Sequence, residues 1–210
     1  MSVTTIMIVD DHTLLRETWA KILSFHEHLK IIANTGNGQE AIQIAKEKNP
    51  ALVLLDINMA PLNGFDILQA IRKYSPISKV IAVSMHSQPS YAKKMLRSGA
   101  RAYVTKNSTS DELMTAVEQV IAGRKYLCSE IKNILAMQMT EEEEQNAMNS
   151  LTQKHMEVIR LMKMGLASKE IAMELNITTR TVQVHKQTIY KKMKVRNSLS
   201  LLNLINQHEL

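Results

Sequence analysis

Short apolar runs alternate with helix-periodic stretches through the first 125 residues. The runs are Ile6-Met7-Ile8-Val9, Leu29 to Ala33, Leu52-Val53-Leu54-Leu55, Val80-Ile81-Ala82-Val83 and Ala102-Tyr103-Val104. Apart from Leu29 to Ala33, which Lys30 interrupts, they are continuous rather than alternating, the pattern of a strand buried on both faces. Leu14, Leu15, Ala20, Ile22 and Leu23 mark a helix after the first run. Ala41, Ile42 and Ala45 mark the next, which Asn49-Pro50 closes. Phe65, Ile67, Leu68 and Ile71 mark the third. The fourth runs from Tyr91 to Arg97 and stops at Gly99, a good C-cap residue. Ser110 starts the fifth, filled by Leu113, Ala116, Val117, Val120 and Ile121. Five such repeats predict an α/β fold, a five-stranded parallel sheet with helices on both faces.

Right-handed crossovers leave few topologies, and the flavodoxin-like order 2-1-3-4-5 is the expected one. It sets strands 1 and 3 side by side where the strand order reverses. Past Ser150 the pattern is purely helical. Four short helices are expected, near Thr152 to Met162, Lys169 to Leu175, Thr181 to Met193 and Leu199 to Ile205. Between the two halves lies a polar, methionine-rich stretch with the run Glu141-Glu142-Glu143-Glu144. The chain therefore divides into an α/β domain at 1–125, a linker at 126–148 and a small all-α domain at 149–210.

Charge sharpens that division. Residues 1–125 carry 15 basic and 11 acidic side chains, 126–148 carry one and five, and 149–210 carry ten and four. A basic terminal unit set off by an acidic stretch points to a polyanionic partner. Cys128 is the only cysteine, which excludes an internal disulfide framework and a thiolate zinc cluster. No apolar run reaches the roughly 20 residues that a membrane helix needs. The N-terminus enters a strand-like run directly, so a soluble, cytoplasmic protein is expected.

The chemistry gathers at the strand ends. The first, third, fourth and fifth strands end at Asp10-Asp11, Asp56, Ser84 and Lys106. A doubly wound sheet brings these ends to one edge. Carboxylates crowded there repel one another and call for a divalent cation, and an all-oxygen set with open water positions suits Mg²⁺. A carboxylate beside a cation and a lysine can attack a phosphoryl group and form an acyl phosphate. Catalysis of that transfer is mainly positioning and charge neutralisation. A dinucleotide fingerprint, Gly36-Asn37-Gly38 with Ala41, is formally present, but it leaves the acidic pair and Lys106 unexplained. A tight turn accounts for those glycines.

On these residues the stretch 3–125 resembles the receiver domain of two-component response regulators, a CheY-like fold. Asp10-Asp11, Asp56, Ser84 and Lys106 sit where that family keeps its acidic pair, phospho-acceptor, switch hydroxyl and lysine. Gly64 and Gly99-Ala100 fit its loops, and Ala60 stands where the family usually has proline. The resemblance implies that Asp10, Asp11, Asp56 and the backbone carbonyl of Asn58 form the Mg²⁺ site. It also implies that Ser84 moves inward on phosphorylation and that Tyr103, at the aromatic switch position, follows.

Residues 150–208 resemble the LuxR-type helix-turn-helix domain of the NarL/FixJ response regulators. Leu151-Thr152, Glu157-Val158, Gly165, Lys169-Glu170-Ile171-Ala172, Leu175, Thr181-Val182, His185 and Lys191-Lys192 carry the match. His155 replaces the family's glutamate, which removes a local pairing. In such a motif the second helix enters the DNA major groove. Helical spacing turns Val182, His185, Ile189 and Met193 inward and leaves Gln183, Val184, Lys186, Gln187, Tyr190 and Lys191 facing out. Gln can pair with adenine and valine can meet a thymine methyl. Ser168, Lys169, Arg180, Lys186 and Lys191 are placed for phosphates, and Thr181 opens the helix. The whole reads as a DNA-binding regulator rather than an enzyme. Its implied partners are a sensor histidine kinase, DNA, and a second copy of the chain when phosphorylated, with the apolar last helix at the dimer.

Overall fold

The computed structural model describes residues 3–207. The ends of the two expected domains, residues 1–2 and 208–210, lie outside the described residues. The chain separates into two compact units, divided between Ala136 and Met137.

The first unit is built on a parallel sheet. Its strands are β1 (Thr4–Val9), β2 (Leu29–Thr35), β3 (Leu52–Asp56), β4 (Lys79–Ser84), β5 (Ala102–Thr105) and β6 (Tyr126–Leu127). The helices are α1 (Thr13–Ser24), α2 (Gly38–Lys48), α3 (Gly64–Tyr74), α4 (Pro89–Arg97) and α5 (Ser110–Ile121). The strand order is β2-β1-β3-β4-β5-β6. All five residues of β3 are buried, as its unbroken apolar run requires of a central strand covered on both faces. Stepping from β1 in opposite directions, right-handed crossovers put α1 on one face and α2, α3 and α4 on the other. Asn37, Asn63 and Thr109 cap α2, α3 and α5 with side-chain oxygens.

The sheet has six strands where five were expected. Residues 126–148, expected as a linker, hold the sixth strand and most of helix α6 (Ser129–Asn149). The reason is a short apolar signal beside a long acidic one. Tyr126 and Leu127 pair in parallel with Ala102 and Tyr103. Cys128 and Ile131 are fully buried in the first core. Glu141, Glu142 and Glu143 are exposed, and Glu143 pairs with Lys194 at 2.7 Å.

The second unit contains the end of α6 and four further helices. These are α7 (Gln153–Lys163), α8 (Ser168–Glu174), α9 (Thr179–Lys192) and α10 (Ser198–Gln207). Its core joins Met148, Val158, Ile159, Leu161, Ile171, Val182, Ile189, Leu201 and Ile205. Among the described residues no helix is long and apolar enough to cross a membrane.

Candidate functional site

Parallel pairing of β1 and β3 sets Val9 opposite Leu55, so the residues that follow, Asp10 and Asp56, emerge side by side. Pairing of Ser84 with Thr105 brings the ends of β4 and β5 to the same edge. Asp10 and Asp56 are fully buried, Asp11 is exposed, and Lys106 reaches in from the end of β5. Its Nζ lies 2.7 Å from Asp56 Oδ2 and 2.9 Å from Asp10 Oδ2. The loop after β3 returns beneath Asp56, and Gly64 makes this possible. A Cβ there would stand 2.4 Å from Ile57 Cα and 2.7 Å from the Asp56 carbonyl oxygen. The Ala60–Pro61 peptide in that loop is cis.

The electrostatics follow from burial. Burial raises the Asp56 carboxyl above the usual range, and the Asp10 charge adds to it, against the hydrogen bonds from Lys106 and the Asn58 N–H. Lys106 is also raised: two carboxylates hold its proton against the burial that would remove it. Asp10 Oδ2 has the Lys106 charge nearby but no well-directed hydrogen bond among the described residues.

Ser84, also fully buried, donates to Asn58 Oδ1 at 3.2 Å and accepts the His86 N–H at 2.9 Å. Asn58, whose carbonyl is the expected ligand, is fixed by its N–H to Asp56 Oδ1 at 2.8 Å. Tyr103, expected to follow Ser84 on phosphorylation, is fully buried, and its hydroxyl donates to the His86 carbonyl at 2.7 Å.

Three neighbours were not anticipated. His12 Nδ1 lies 2.9 Å from Asp11, 3.2 Å from Asp10 and 3.1 Å from Lys106 Nζ. Together the ligand atoms of Asp10, Asp11, His12 and Asp56 fall within 4.8 Å of one another. Adjacency to the acidic pair was a usable signal for His12. His86 stacks on Tyr91 at 4.3 Å and lies 2.9 Å from Asn58 Nδ2. Arg16 donates to the Asp10 carbonyl at 2.6 Å.

In the second unit α8, the turn through Leu175 to Thr178 and α9 form a helix-turn-helix. Thr178 caps α9 by accepting the Thr181 N–H at 3.1 Å, and the two threonine hydroxyls meet at 2.8 Å. Val182, Ile189 and Met193 are buried, and His185 is half-buried. Gln183, Val184, Gln187 and Lys191 are exposed, as are Lys169 and Arg180. Ser168 Oγ accepts from Gln183 at 3.1 Å and Lys186 at 3.4 Å, which gathers three of the expected DNA contacts on one face. Tyr190 is different. It is half-buried, and its hydroxyl is held by Ser198 at 2.6 Å.

His155 corrects an expectation. No pairing is lost, because its Nδ1 accepts the Thr152 N–H at 3.2 Å while Thr152 Oγ1 accepts the His155 N–H at 3.3 Å. An imidazole thus completes the capping box that glutamate usually makes. Burial holds its pKa below the ordinary value, and the charges of Lys192 and His185 add to the shift. On α10, Leu201 and Ile205 enter the core, whereas Leu199 is 70% exposed.

Two family profiles match the chain: the response regulator receiver domain over residues 6–118, and the bacterial regulatory proteins of the luxR family over 149–204. The nitrate/nitrite response regulator protein NarL of Escherichia coli is 28% identical over 208 residues, covering 98% of this chain and 96% of its own. The transcriptional regulatory protein UhpA of Salmonella typhimurium is 30% identical over 197 residues, covering 94% and 95%. A crystal structure of a LuxR-family two-component response regulator from Aurantimonas superposes with a TM-score of 0.63 at 28% identity, over 66% of this chain and 99% of that one.

Proposed function

Because this chain belongs to the NarL/FixJ family of DNA-binding response regulators, a receiver followed by a LuxR-type domain, we propose that Asp56 accepts a phosphoryl group and thereby controls DNA binding. The observation that carries this reading is the pairing of a fully buried Asp56 with Lys106 at 2.7 Å, beside a second buried carboxylate. A lone buried carboxylate is costly unless it is paired. Two of them sharing one lysine leave excess negative charge, which a divalent cation would relieve so that a phosphoryl group can be accepted.

The donors fit Mg²⁺. Asp10, Asp11, Asp56 and the Asn58 carbonyl would hold it, and Asp10 Oδ2 is a buried oxygen with the Lys106 charge nearby but no well-directed hydrogen bond among the described residues. When bound, the ion supplies positive charge to the phosphoryl oxygens. The His12 ring, 62% exposed, can turn outward from the same oxygens. In the transfer an Asp56 carboxylate oxygen bonds to phosphorus as the bond from phosphorus to the donor breaks, and the leaving group takes up a proton. Lys106 pairs with one phosphoryl oxygen, and Ser84 gives up Asn58 to donate to another. The donor is a partner histidine kinase or a small acyl phosphate.

The output is the face of α9. Gln183, Val184 and Gln187 would read base edges, with Ser168, Lys169, Arg180, Lys186 and Lys191 on phosphates. Thr181 serves the helix cap, and Tyr190 contributes its ring edge rather than its engaged hydroxyl. We take 1–125 as the working receiver and 149–210 as the DNA-binding domain. The phosphorylated form pairs two copies, aided by the exposed Leu199, and acts in the cytoplasm where its DNA lies. Incubating the full chain with acetyl phosphate and Mg²⁺ and mapping the modified peptide tests this reading. Label is expected on Asp56 and none in Asp56→Asn; full labelling of that variant would contradict it.

A further inference from the structure

Glu130 lies in the first turn of α6, a place where an acidic side chain ordinarily serves the helix dipole. Here that work is done by another residue: Glu112 accepts the Ser129 N–H at 2.6 Å. The Glu130 carboxylate points elsewhere. One oxygen accepts from Ser87 Oγ at 2.5 Å and the other from Thr105 Oγ1 at 2.7 Å.

These two hydroxyls flank the phosphoryl-binding groups. Thr105 is the buried residue immediately before Lys106. Ser87 closes the loop that begins at Ser84, whose hydroxyl also accepts the His86 N–H. A Ser84 hydroxyl drawn from Asn58 to a phosphoryl oxygen therefore takes with it the backbone one residue before Ser87. The Lys106 N–H donates to the Ser84 carbonyl at 2.7 Å, so the ends of β4 and β5 move as a pair.

We infer that Glu130 is the positioning residue through which the state of Asp56 reaches the start of α6, by holding Ser87 and Thr105 on its two oxygens. This rests on Asp56 being the phospho-acceptor. Displacement of either hydroxyl changes how the first turns of α6 are held, and α6 continues to Asn149. The arrangement needs two hydrogen-bonding atoms rather than a charge. Glutamine can serve in part, because its oxygen accepts from one hydroxyl and its amide donates to the other.

The test measures amide exchange at residues 130–136 of the full chain, with and without phosphorylation by acetyl phosphate and Mg²⁺, alongside the labelling rate of Asp56. In the wild type, phosphorylation is expected to change exchange there by about fivefold, the lower end of typical coupling between sites. Glu130→Ala should label at the wild-type rate and lose the response, while Glu130→Gln restores part of it. Thr105→Val and Ser87→Ala, which remove single hydroxyls, should each weaken it. A full response in Glu130→Ala overturns the inference. So does a wild type that accepts phosphate without any response at 130–136, which leaves the role of Asp56 standing. A wild type that takes no phosphate fails at the earlier step and removes the acceptor assignment itself.

Discussion

The Tyr103 hydroxyl donates to the His86 carbonyl, 17 residues earlier, at 2.7 Å. This bond fastens β5 to the loop that follows Ser84. Burial pushes the phenol up to about 12, so it stays a donor through the neutral range.

Tyr103→Phe removes that bond and leaves the carbonyl unpaired, at a cost of about 1–2 kcal/mol. Urea unfolding should show a lower midpoint with an unchanged slope. The wild type carries a matching pH signature. A phenol raised in the folded state makes the folded form bind more protons, so its contribution is full below pH 10 and is lost as pH rises toward about 12.

Lys106→Met leaves Asp10 and Asp56 buried without their cation. Removing one partner of a buried pair costs about 3–5 kcal/mol. Because burial already raises Asp56, loss of the lysine raises it further. A carboxyl raised in the folded state stabilises below its unfolded value and loses that contribution as pH rises through the folded one. The variant should therefore regain stability on acidification from neutral pH, as read by urea midpoints, and should label poorly with acetyl phosphate.

His155 caps α7 only while Nδ1 is unprotonated. Its pKa is depressed in the folded state, so the unfolded chain binds more protons as pH falls below the ordinary histidine value of 6.5. Amide exchange at residues 155–163, taken relative to the intrinsic base-catalysed rate at each pH, should quicken from pH 7.5 down to about pH 5.5. His155→Glu should flatten that dependence, since a carboxylate stays an acceptor across the window.

On α9, Lys186→Ala should weaken DNA binding alike for all sequences and reduce the salt slope by about one. Gln183→Ala should instead relax preference at one base position, by about 1–3 kcal/mol. Selection of bound sequences at two salt concentrations separates the two effects.

The sheet and its acidic edge were legible in the sequence for a physical reason. A parallel sheet buried on both faces writes its strands as apolar runs, and its topology carries whatever ends them to one edge. Asp10, Asp56, Ser84 and Lys106 needed no more than that. Glu130 was hidden because its partners are 43 and 25 residues away and its helix begins inside an acidic, polar stretch. The sixth strand has two residues, too few to show a period. Tyr190 follows the outward spacing of α9, but the bond to Ser198 depends on how α10 folds back. The His155 cap turns on which imidazole nitrogen reaches the Thr152 N–H, a matter of geometry that residue type alone does not carry.

In the proposed function, Asp56 governs DNA affinity. The most direct measurement is the dissociation constant of the full chain for a DNA site selected from random sequence, with and without phosphorylation. The prediction is binding at least about fivefold tighter when Asp56 is phosphorylated, with Asp56→Asn unresponsive to the phosphodonor. Equal affinity in both states, or an equal response in Asp56→Asn, would contradict it.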